Sequence, residues 1–92
     1  MAEDMVRRHM TISGDVQGVF FRETARRKAT EAGVAGWITN CSDGRVEAVF
    51  EGPAEAVDEL VEFCRDGPTA ATVEDVDVQS EEPEGLSGFA VR

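Results

Sequence analysis

Three features of this 92-residue chain predict an α+β fold of the ferredoxin-like type, βαββαβ with a short extra C-terminal strand. Segments with strand period and helix period follow one another in that order. Each of the two helix-period segments ends at a glycine, and a Ser42-Asp43-Gly44 turn joins the two strand segments that are adjacent in the middle. The order implies an antiparallel sheet with both helices on one face. At this length a single domain over residues 1–92, with one modest core, is expected.

Over Val6 to Ser13, Val6, Met10 and Ile12 fall on one face and Arg7, His9 and Thr11 on the other, the alternation of a half-buried strand. His9 is then read as solvent-facing. Phe21, Ala25, Ala29 and Ala32 recur at helical spacing, and Gly33 is placed to end that helix. Val34 to Cys41 and Arg45 to Glu51 form a hairpin about the Asp43-Gly44 turn. Gly52-Pro53 opens a second helix with proline at its first position, and Val57, Leu60, Val61 and Cys64 form its inner stripe. After the break at Gly67-Pro68, Val73 to Gln79 reads as a strand, Ser80 to Gly85 as an acidic solvated loop, and Leu86 to Arg92 as a last strand.

Composition narrows the function. Acidic residues outnumber basic ones 19 to 9, with a net charge of −10 and Lys28 the only lysine. Such a surface repels nucleic-acid phosphates, and its self-repulsion is relieved by salt, which points to a salt-rich cytoplasm as the habitat. Six of the nine cations nevertheless lie in the first 28 residues. Cys41 and Cys64 lack the spacing of a zinc or redox motif and read as reduced thiols. One histidine and two distant cysteines argue against a transition-metal site, and no cofactor is expected. No apolar run approaches the length of a membrane span, and the N-terminus carries acids where a signal peptide needs basic charge, so a cytoplasmic protein with no membrane partner is expected.

The chemistry concentrates in the run Gly14-Asp15-Val16-Gln17-Gly18-Val19-Phe20-Phe21-Arg22. Gly14 and Gly18 allow consecutive backbone N–H groups to converge on an anion, the run enters a helix N-terminus, and Arg22 in its first turn can offer a bidentate fork to phosphate oxygens. The plainer alternative is a glycine turn beside a surface arginine. Neither nucleotide-loop pattern, G-x-x-x-x-G-K-[ST] or G-x-G-x-x-G, is present. Eighteen residues after Arg22, Asn40 either serves the turn or holds a water.

The two segments resemble the signatures of the acylphosphatase family. Val16-Gln17-Gly18-Val19-Phe20-Phe21-Arg22 preceded by Gly14 carries the first, and Gly36-Trp37-Ile38-Thr39-Asn40 with Asp43-Gly44, Val46-Glu47 and Gly52 the second. With Gly67-Pro68 and the terminal aromatic strand, the resemblance runs from about Arg7 to Arg92. It implies a monomeric, metal-independent hydrolase of carboxyl–phosphate mixed anhydrides, taking a small acyl phosphate and releasing inorganic phosphate. The backbone amides of Asp15, Val16, Gln17, Gly18 and Val19, together with Arg22, would bind the phosphoryl oxygens, and Asn40 would orient the attacking water. Asp15 stands where family members often carry arginine, and Ile38 and Thr39 replace small and basic residues. The competing class is a non-catalytic module: a similar domain occurs at the start of large carbamoyl-phosphate-handling maturation proteins, and an RNA-recognition sheet is also ferredoxin-like but needs paired exposed aromatics and a basic surface, which this composition opposes.

Overall fold

The computed structural model describes residues 4–92 and contains five strands and two helices: β1 (Met5–Asp15), α1 (Phe21–Ala32), β2 (Ala35–Asn40), β3 (Val46–Pro53), α2 (Ala54–Asp66), β4 (Thr72–Glu81) and β5 (Phe89–Val91). The strands form one sheet in the order β4-β1-β3-β2-β5. β1 pairs antiparallel with β3 and β4, and β2 antiparallel with β3, whereas the short fifth strand joins β2 in parallel.

Alternation along the strands separates the two faces of the sheet. Met10, Ile12, Ile38, Val46, Ala48 and Phe50 are buried with Phe21, Ala25 and Ala29 of α1 and Val57, Leu60, Val61 and Cys64 of α2. The inner stripe of each helix is thus the one its spacing predicts. Helix α1 ends in a Schellman motif at Gly33, whose N–H donates to the Thr30 carbonyl while that of Val34 reaches back to Ala29 at 2.8 Å. Pro53 differs from expectation. With φ −58° and ψ 141° it is the extended N-cap residue that closes β3, because its ring tolerates extended backbone as readily as helix.

The opposite face of the sheet carries a charge network that single-residue reading missed. Register sets Arg7 of β1 between Glu51 of β3 and Glu81 of β4, and its guanidinium contacts both carboxylates, at 3.2 and 2.8 Å. The Glu51 carboxylate is buried and also accepts the backbone N–H groups of Glu84, Gly85 and Leu86. Desolvation works against its charge, but the donated N–H groups and Arg7 outweigh that and hold its pKa below the usual carboxylate value. These bonds have a topological purpose. β4 and β5 lie at opposite edges, so residues 82–88 must pass the three strands between them, and Glu51 on the middle strand grips that crossing. Ser80 and Glu81, expected in a solvated loop, extend β4 because Glu81 is held by Arg7 and His9.

His9 is likewise not a free surface residue. Its Nδ1 lies 2.8 Å from Glu81 and its Nε2 2.6 Å from Glu47, and its ring meets the edge of Trp37. Two carboxylates, one at each nitrogen, require both nitrogens to donate, which is the imidazolium. Desolvation lowers its pKa, but the hydrogen bonds to Glu81 and Glu47 together outweigh it and leave the value raised. A raised folded-state pKa adds stability that is complete below the unfolded pKa and is lost as pH rises through the folded one. The unfolding free energy of the wild type relative to His9→Gln should therefore be largest below the ordinary histidine pKa of about 6.5 and be lost as pH rises through the raised folded-state value. Urea titrations followed by Trp37 fluorescence would check this, and a difference that stays flat or grows with pH would contradict it.

Candidate active site

β1 leaves the sheet through a bulge. Its register with β4 shifts between Ser13 and Gly14, so that Ser13 faces Asp75 and Gly14 faces Val73. Gly14 has φ 129°, and a Cβ there would lie 2.2 Å from the Thr72 carbonyl oxygen, so no other residue fits this crossing of backbones. The chain then turns through residues 16–20 into α1.

Each loop residue has a distinct part. Val16 is buried and anchors the loop in the core. Gln17 donates through Nε2 to the carbonyls of Cys41 at 2.7 Å and Arg45 at 2.9 Å, tying the loop to the hairpin next to Asn40. Gly18, at φ 73°, is exposed with open space above it. Val19 packs against the core. Phe20, with φ 62° and ψ 21°, is the only non-glycine residue of positive φ among the described residues and is the N-cap of α1. No side chain caps that helix end, leaving the first-turn N–H groups without a side-chain acceptor and the positive end of the helix dipole facing the loop.

Val16, Gly18, Phe20, Phe21, Arg22, Glu23, Asn40 and Val91 line one cavity of about 310 Å³. Asn40 reaches it as the last residue of β2, on the same face as buried Ile38. Its Oδ1 is buried and, among the described residues, has no hydrogen-bond partner. An unsatisfied buried acceptor costs about 1–3 kcal/mol, so its retention at a residue that lines the cavity marks Asn40 for a role beyond packing. Arg22 projects from the first turn of α1, and its Nη1 donates to the main-chain oxygen of Arg92 at 3.1 Å, which Thr39 Oγ1 also contacts. The crossing segment gripped by Glu51 thus delivers β5 to the site, where Val91 lines the cavity and Arg92 holds the guanidinium.

Of the residues singled out in the sequence, Val16, Gly18, Arg22 and Asn40 meet around this cavity. Asp15, Gln17 and Val19 are not among its lining residues. Asp15 is exposed and pairs with Thr72 at the end of β1, and for these three the expectation concerns main-chain N–H groups. Sequence reading did not reach Val91 or the Arg92 oxygen, because a parallel strand pairing leaves no short-range signal. The signal for Gln17 as a tie was equally weak, since its two acceptors are backbone carbonyls more than twenty residues away. Both cysteines are free, Cys64 buried and Cys41 partly so.

The fold is of the ferredoxin-like class, and its cavity is bordered by a glycine loop, a helix N-terminus and a strand-end amide. The acylphosphatase family profile matches residues 8–91. An acylphosphatase of Haloquadratum walsbyi is 54% identical over 92 residues, covering 100% of this chain and 99% of that protein. One from Haloarcula marismortui is 55% identical over 86 residues, covering 94% of each. The structure of an acylphosphatase from Coxiella burnetii superposes with a TM-score of 0.91 at 42% identity, covering 97% of this chain and 94% of that one. The chain belongs to the acylphosphatase family, and its activity is that of an acylphosphatase, an acid anhydride hydrolase. The two sequence relatives come from haloarchaea, which fits the acid excess read from composition. The melting temperature should accordingly keep rising with KCl beyond physiological ionic strength, and a value that levels off there would contradict the halophilic reading. No helix among the described residues is long and apolar enough to cross a membrane.

Proposed function

We propose that the cavity between the 14–20 loop, α1 and β2 is the catalytic site, working in the cytoplasm on a small acyl phosphate as a one-domain monomer over residues 1–92. The phosphoryl group sits on the main-chain N–H groups of Asp15 to Val19, beneath the uncapped N-terminus of α1. Arg22 supplies the positive charge among the lining side chains. Its planar fork can leave the Arg92 oxygen and take two phosphoryl oxygens. Asn40 holds the nucleophilic water through its carboxamide, whose Oδ1 accepts a hydrogen bond from one water O–H and so aims an oxygen lone pair at phosphorus.

The reaction asks little more of the protein. The water oxygen bonds to phosphorus as the bond from phosphorus to the acyl oxygen breaks, the electron pair leaves with the carboxylate, and the water proton passes to the departing phosphate or to solvent. A carboxylate is a good leaving group and needs no strong general acid, so neither a metal nor a covalent intermediate is invoked. Catalysis then comes from positioning and from donors aimed at the charge on the equatorial oxygens. The exposed side chain of Asp15 leaves its amide available to the anion while the carboxylate stays in solvent.

The observation that carries this reading is that Asn40, whose buried Oδ1 has no hydrogen-bond partner among the described residues, lines the same cavity as Arg22 at the uncapped end of α1. It is tested by release of phosphate from benzoyl phosphate by the purified protein in excess chelator. Turnover that persists is expected, and turnover that collapses on chelation and returns with added metal would contradict it.

A further inference from the structure

Among the described residues only four large hydrophobic side chains are exposed: Met5, Phe20, Leu86 and Val91. Two of the four, Phe20 and Val91, line the active-site cavity. Phe20 is 79% exposed, an unusual position for an aromatic ring that has no packing partner to gain. Its backbone is also left-handed, a conformation that a non-glycine residue holds only when its surroundings impose it, and such residues cluster at functional sites. The left-handed turn directs the chain into α1 and puts the ring on the cavity side.

Val91 arrives from the other direction. In β5, Phe89 stacks on Phe50 of the core at 5.5 Å, and Val91, two residues on, shares that face and pairs with Ile38 two positions before Asn40. The cavity, at about 310 Å³, is at the small end of sites that hold organic ligands and is larger than a phosphate needs. The polar groups account for the phosphoryl half of a substrate, and the apolar remainder of the wall has no assigned occupant.

Resting on the acyl phosphate reading of this site, we propose that Phe20 and Val91 form the wall that binds the acyl group and select substrates with an apolar aromatic or branched acyl chain over acetyl phosphate. The ring of Phe20 gains a partner only when such a group covers it, and the water expelled from both surfaces favours binding. An acetyl group is too short to cover it.

The test compares kcat and KM for benzoyl phosphate and acetyl phosphate in the wild type, Phe20→Gly and Val91→Ala. Glycine at position 20 keeps the left-handed turn without strain and removes only the ring. Phe20→Gly should lower kcat/KM for benzoyl phosphate about tenfold more than for acetyl phosphate, chiefly through KM, with Val91→Ala in the same direction. Competitive inhibition by inorganic phosphate, which has no acyl group, should move by less than about twofold. Equal losses on both substrates, or a matching loss of phosphate inhibition, would mean that the ring supports the loop and would overturn the proposal. So would no change in either variant. Hydrolysis of neither substrate by the wild type would instead refute the acyl phosphate reading beneath it.

Discussion

Arg22→Ala is expected to lower kcat/KM for benzoyl phosphate by about 10³-fold, the scale on which a guanidinium stabilises phosphoryl-transfer charge. The geometry argues for an effect of that size. Other donors at the loop are main-chain N–H groups carrying partial charge, and Arg22 is the cation among the lining residues. It also stands at the N-terminus of a helix, where a cation opposes the dipole and its position is compensated only when an anion sits between them. Both kcat and KM should worsen, since the fork grips the phosphoryl group in the ground state and more strongly as charge develops. Arg22→Lys should recover little, because a point charge on a flexible stem cannot reproduce two parallel hydrogen bonds. Steady-state kinetics on the two variants, with melting curves confirming that they remain folded, check this. Wild-type rates in Arg22→Ala would remove the residue from the mechanism.

Asn40→Ala is expected to act on a different constant. In the proposed mechanism its amide contacts the water rather than the phosphoryl group, so kcat should fall about 10²- to 10³-fold while KM and inhibition by inorganic phosphate stay near their wild-type values. Removing the buried, unpartnered Oδ1 also relieves an unsatisfied acceptor, so the variant should be no less stable than the wild type and even gain slightly. A loss of activity without a loss of stability separates a water-orienting role from a turn-forming one. A purely local role in the hairpin would give the reverse, with lowered stability and unaltered kcat.

The fold was legible because its determinants are local. The helix stripes Phe21-Ala25-Ala29 and Val57-Leu60-Val61-Cys64 are read from periodicity, and the hairpin from Asp43-Gly44, with no reference to distant residues. What escaped depends on register. Nothing near Arg7 in the sequence says that Glu51 and Glu81 flank it, and nothing near His9 names Glu47 and Glu81 as its partners. Those pairings follow from which strands lie side by side, and they turn a supposed solvent-facing histidine into a clamped imidazolium.

The site divides in the same way. Gly14, Gly18 and Arg22 could be read as an anion loop because a helix follows them directly, and Asn40 as a partner through family resemblance. The structural support of that loop could not be read. Gln17 fastens it to the hairpin, and the Glu51-anchored crossing brings β5 beside Arg22, both through backbone groups that carry no residue-type signal.

A crystal soaked in inorganic phosphate tests the central claim most directly. The account predicts a phosphate in the cavity accepting hydrogen bonds from the amides of Asp15 to Val19 and from both terminal nitrogens of Arg22, with a water between it and the Asn40 carboxamide. Phosphate bound elsewhere, with Arg22 still on the Arg92 oxygen and the Asn40 amide turned away from the cavity, would contradict it.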